Sequence, residues 1–162
     1  MIAVAWNRRP LEERVNLDPA FLAILLREAV SGYFERTRRP MPLPLAFIAL
    51  PIVLHRGTRE RLPRTLATSL PVWLQENQFL RETFADRARA VASATREGVI
   101  IALQTKLLRI SHSALVIDQE PLQPRYATAE TRTMHSRARF VGRWLAQSGD
   151  VETVYFLWGV KP

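Results

Sequence analysis

The chain has 162 residues, 48% of them hydrophobic and 23% charged, and a formal net charge of +8 at pH 7. That length holds one domain with a sizeable core, and the composition excludes disorder over the whole chain. With no cysteine, disulfides, thiolate catalysis and most structural zinc sites drop out, while the positive balance favours an acidic partner.

Nearly all the positive charge is arginine, which suits bidentate pairing with phosphate or carboxylate; a GC-rich genome gives the same bias with no such role. Residues 1–16 read as an arm, because Arg8-Arg9-Pro10 and Glu12-Glu13-Arg14 leave only Trp6, Leu11 and Val15 as apolar anchors. The short apolar patch before them is no signal peptide. The longest apolar run, residues 41–54, holds Pro42, Pro44 and Pro51 and falls short of a bilayer span, so the protein is expected to be soluble and cytoplasmic.

A helix is expected from Asp18, with Pro19 in its first turn and Phe21, Leu22, Leu25, Leu26, Ala29 and Val30 on one face; it ends among the cations of residues 36–39. The prolines then hold the chain extended to Pro44, and residues 45–50 form a short buried helix that breaks near Pro51, with a sheet as the weaker alternative. Thr58 caps a turn over residues 59–62, and Ser69 caps another over residues 70–76 that turns Trp73 and Leu74 inward. Leu80, Phe84, Ala88 and Val91 predict an amphipathic helix over residues 78–93. A turn at Ser93-Ala94-Thr95 follows, and Thr95 caps a further helix to Lys106.

Near residue 107 the apolar spacing falls from four to two. Leu108 and Ile110, then Leu115 and Ile117, flank the polar group Ser111-His112-Ser113 and predict a hairpin. That turn has no Gly or Asn, so its type stays open. Residues 120–128 are a connector with Pro121 and Pro124. A long helix spans residues 129–147, with Met134, Ala138, Val141 and Leu145 inward, and Gly149 ends it. Asp150 caps a last helix over residues 151–158, stopped by Gly159 and too apolar for a loose tail.

Together these elements give a mainly α fold with a small β-hairpin, a winged-helix-like core with flanking N- and C-terminal helices. The expected organisation is an arm at 1–16 and one mainly helical domain at 17–162, with the winged-helix-like part at about 70–118 and C-terminal helices at 129–158.

The chemistry on offer is sparse. The six glycines are scattered and form no phosphate-binding loop. His55, His112 and His135 stand singly, without a second ligand at helical spacing. No catalytic residue, metal ligand or cofactor is expected. The candidate contacts to nucleic acid or an acidic partner are Arg89, Arg96, Lys106 and Arg109, with Arg87 beside them, and the row Arg132, Arg137, Arg139 and Arg143, opposed only by Glu130. A solvated helix face accounts for the same charges equally well. Trp6, Trp144, Phe156 and Trp158 are candidates for a protein interface, with core packing the commoner fate of a tryptophan.

Four stretches taken in order carry a resemblance: NLDPAFLAILLREAVSGY, PLPLAFIALPIVLHRGTRERLPRTLATSLPVWLQEN, FADRARAVASATREGVIIALQTKLLRI and GRWLAQSGDVETVYFLWGVKP. The chain resembles the middle component of prokaryotic ABC-type three-component (ABC-3C) systems over most of residues 17–162. The resemblance implies a non-enzymatic adaptor encoded beside a chromosome-maintenance-type ABC ATPase and a third, effector-bearing protein, in defence against phage and other foreign DNA. It transfers no catalytic residue. The ATPase and the effector protein are then the expected partners, with duplex DNA a further candidate and no membrane. The competing expectation is a stand-alone winged-helix DNA-binding regulator using Arg96, Lys106 and Arg109.

Overall fold

Helix α1 (Pro19–Thr37) begins where Asp18 accepts a hydrogen bond from the Ala20 amide at 2.9 Å, with Pro19 in the first turn. It ends at Arg38, whose positive φ of 58° turns the chain back while its amide donates to the Phe34 carbonyl. The computed structural model describes residues 17–119 and 128–161. The expected arm at 1–16 and most of the connector at 120–128 lie outside the described residues.

After α1 the chain makes a two-residue strand β1 (Met41–Pro42), a 3-10 turn (Leu43–Leu45) and helix α2 (Ala46–Leu54). Helix α2 does not break near Pro51 as expected but runs through it. An internal proline costs about 3 kcal/mol, and full burial of each large aliphatic side chain returns roughly 1.5–3 kcal/mol. Ile48, Leu50, Ile52 and Val53 are at most 1% exposed, so packing outweighs the lost backbone bond.

Three short helices follow: α3 (Arg56–Arg61), α4 (Leu70–Glu76) and α5 (Gln78–Glu82). The cap of α3 is His55 rather than Thr58: the imidazole Nδ1 accepts from the Thr58 amide at 3.1 Å, so the helix begins three residues earlier than expected. Thr58 itself is fully buried. Ser69 precedes α4 as expected but makes no side-chain capping bond.

Helix α6 (Phe84–Gln104) is one unbroken element of 21 residues, without the turn expected at residues 93–95. Its buried stripe reads Phe84, Ala88, Thr95, Gly98, Val99 and Ala102, so Thr95 is a small core residue and not a cap. The interruption lies earlier, at Thr83, whose hydroxyl bonds the Phe79 carbonyl. Helix α6 delivers the chain to strands β2 (Leu108–Ser111) and β3 (Ala114–Ile117), which meet the expected hairpin. His112 and Ser113 form its two-residue turn with φ of 50° and 61°, the sign pattern of a type I′ turn. The sheet has a third antiparallel strand: β1 pairs with β3, Met41 opposite Leu115, giving the order β1-β3-β2. Pro42, which has no N–H to give, sits at the edge.

Helix α7 (Ala129–Ala146) is capped by Thr128, and helix α8 (Val151–Trp158) by Asp150, with Gly159 left-handed after it. Helices α1, α2, α6 and α7 pack as a central group. The α1–α7 crossing is closest at two glycines: a Cβ on Gly142 would lie 1.9 Å from the Ala29 carbonyl oxygen, and one on Gly32 would lie 2.0 Å from that of Arg139. Around this crossing a single apolar core takes in side chains from every helix except α3 and from all three strands. Among the described residues no helix is long and apolar enough to cross a membrane.

Candidate functional site

The outward stripe of α6 carries Arg89, Ser93, Arg96 and Ile100, all exposed, and leads toward Lys106 and Arg109 at the ribbon. Arg89 and Arg96 therefore share one face of α6. Arg89 already bonds Asp86 at 2.8 Å, and Arg109 lies 3.7 Å from Asp118. Both pairs are exposed, hence weak and easily exchanged for a ligand phosphate. Arg96 and Lys106 make no ion pair among the described residues. Ile100, 49% exposed, and Ile110, 47% exposed, make this side partly apolar.

The row on α7 is largely committed within the fold, which corrects the expectation of a row opposed only by Glu130. Arg139 bonds Glu28 at 3.2 Å and is paired with Glu35, both on α1, and Arg143 lies 3.9 Å from Glu35. The Glu35 hydrogen bond foremost raises the Arg139 pKa above its ordinary value, with burial opposing. Arg137 lies over the Phe140 ring and donates to the Pro63 carbonyl. Arg132 is exposed. Arg139 and Arg143 clamp α7 onto α1, and Arg137 ties it to the loop after α3.

A further hollow forms where sequence spacing gave no warning. Residues of α1, α2, α3, α6 and α7 surround a cleft of about 710 Å³, with Phe21, Leu54, Val91 and Met134 in its apolar part. His55, Arg56, Arg59, Arg87 and Glu130 supply its polar part. Arg59 is 5% exposed, donates to the Val53 carbonyl at 2.6 Å and reaches Glu130 Oε1 at 3.2 Å. Arg87 donates to the Leu80 carbonyl at 3.0 Å and the Thr58 hydroxyl at 3.3 Å and is also bonded to the Thr83 hydroxyl, while its buried Nε has no partner. Burial lowers the Arg87 pKa. Burial, then Arg87 and Arg59, push the His55 imidazole below its ordinary value, which keeps its Nδ1 an acceptor for the α3 cap. A smaller hollow of about 330 Å³ adjoins on the far side of Arg59, adding Glu60 and Arg137.

The interface candidates separate cleanly. Trp144 and Trp158 are fully buried and so present nothing to a partner: Trp144 stands edge-on to Trp73 at 5.4 Å and donates to the Thr68 carbonyl, and Trp158 lies 4.2 Å from the Phe84 ring. Phe156, in contrast, is 77% exposed beside a hollow shared by α4, α5 and α8. Val72 and Phe79 are also about half exposed, at 48% and 52%. Trp6 lies outside the described residues. No group of three or more His, Cys, Asp or Glu able to hold a metal occurs among the described residues.

A family model described as ABC-three component (ABC-3C) system Middle Component 3 matches residues 6–162. No curated protein and no solved structure matches the chain.

Proposed function

Since the chain belongs to the ABC-3C middle component 3 family, we propose that it is a non-enzymatic adaptor joining a chromosome-maintenance-type ABC ATPase to an effector-bearing protein in defence against phage and foreign DNA. A middle component works with other components, and the exposure of Phe156 is the observation that best supports a docking role. An aromatic ring left 77% in water on a helix otherwise anchored by buried Val154, Tyr155 and Trp158 is a common anchor of protein interfaces. The test is co-expression with the ATPase and third protein encoded nearby, followed by pull-down and an ATPase assay. Co-purification of both partners and a changed ATPase rate are expected; failure to retain either partner removes the adaptor role.

The alternative is a winged-helix DNA-binding regulator. One observation favours it: the sequence α1, β1, α2, α6, β2, β3 with sheet order β1-β3-β2 has the order of a winged helix, interrupted by the short helices α3 to α5. In that arrangement α6 is the recognition element, and Arg89, Arg96, Lys106 and Arg109 face the phosphates. Such a regulator binds duplex DNA alone with base preference, which an adaptor need not do.

A further inference from the structure

We infer that the cleft between α3, α6 and α7 is a docking site for an acidic, apolar segment of a protein partner: an aliphatic or aromatic side chain on the cleft floor, with flanking carboxylates on Arg56 and Arg87. This rests on the adaptor role and names the surface through which it acts.

Three features select that ligand. The first is charge: the cleft and its adjoining hollow are lined by Arg56, Arg59, Arg87 and Arg137 against Glu60 and Glu130, an excess of cations facing a concave site where low dielectric strengthens each pairing. The second is incomplete pairing. Arg87 bonds only neutral oxygens, those of Leu80, Thr58 and Thr83, whereas a guanidinium gains most from a carboxylate. Arg59, 5% exposed, is already neutralised by Glu130 at 3.2 Å, which leaves Arg87 as the cleft cation with no carboxylate beside it among the described residues. The third is shape. About 710 Å³ of space above Phe21, Leu54, Val91 and Met134 accommodates two or three side chains. A phosphate backbone brings no apolar group to cover such a floor.

Ala90 lines the cleft and is exposed, so Ala90→Glu places a carboxylate in the mouth without disturbing a core contact, and Ala90→Gln adds the same bulk without charge. Arg56, exposed at the rim and held there by an exposed pair with Glu60 at 2.6 Å that a partner carboxylate can exchange with, is reversed in Arg56→Glu. Each variant of the full chain is titrated against the purified ATPase and the purified third protein, with Tm measured alongside. Against one partner, A90E and R56E are expected to weaken binding about tenfold or more, A90Q at most a few-fold, with Tm unchanged. If the wild-type chain binds a partner and A90E and R56E bind it equally well, the proposal is overturned and the adaptor role stands. If the wild-type chain binds neither partner, both are overturned. Equal losses in A90E and A90Q overturn it by removing charge complementarity. So does a tenfold loss of duplex DNA binding with partner affinity intact. A Tm drop in isolated A90E, reproduced by E12Q/E13Q, assigns the cleft to the chain's own acidic residues and also overturns it.

Discussion

At the scale of single residues, the ribbon turn and the α3 cap both use side chains that sequence rules disfavour there. His112 and Ser113 hold φ of 50° and 61°, a conformation that costs an L-residue roughly 1–2 kcal/mol and that Asn-Gly adopts readily. The double variant H112N/S113G is expected to raise stability by about 1 kcal/mol, or roughly 2–4 °C in Tm by thermal denaturation. His55 caps α3 only while neutral. Its folded pKa lies below the ordinary 6.5, so the unfolded chain binds more protons as the solution acidifies. The stability it contributes is complete above about pH 6.5 and is lost as pH falls through the folded pKa. In H55N the cap oxygen remains and the titration does not, so Tm should depend less on pH between about 7 and 5. A residual slope is expected from His135, whose pKa burial also lowers; a slope equal to that of the wild type would dismiss His55 as a contributor.

At the scale of elements, the handover from helix to ribbon was legible because α6 and the hairpin bury their apolar residues at different periods. The supposed turn at residues 93–95 arose from reading Ser93 and Thr95 as punctuation, when Thr95 fills a narrow place on the buried stripe of α6. Strand β1 was illegible for another reason: two residues, one a proline, show no alternation, and only Leu115 and Ala114 opposite them make them a strand. The cleft was hidden too, since Arg56 and Arg59 meet Arg87 only through the packing of α3 against the start of α6. Burial of Trp144 and Trp158 likewise depends on partners distant in sequence. The α1–α7 crossing gives the sharpest test at this scale. Gly→Ala within a helix ordinarily gains about 0.5–1 kcal/mol, but at Gly142 the new methyl meets the Ala29 carbonyl oxygen at 1.9 Å. G142A should instead lose about 3 kcal/mol or more, near 10 °C in Tm by the usual scaling; a Tm at or above that of the wild type would disprove the close approach.

At the scale of the whole molecule, the net charge of +8 is not lowered by the pairing of Arg59 and Arg139 with carboxylates inside the fold, since each pair takes out one charge of either sign, and it acts on a polyanion without regard to sequence. Duplex DNA binding by the isolated chain is therefore expected in the non-specific range, with Kd of about 10⁻⁴–10⁻⁶ M at physiological salt, falling steeply as salt rises and indifferent to sequence. Fluorescence anisotropy with scrambled competitor duplex decides the point, and nanomolar binding that survives the competitor would favour the regulator. The uninterrupted course of α6 has a mechanical consequence. At about 1.5 Å per residue, the stretch from Arg87 to Gln104 is a stiff strut roughly 25 Å long, with the cleft at one end and the ribbon at the other. Two proteins gripping those ends are held at a fixed separation, and a push delivered to one is transmitted to the other without being absorbed along the way.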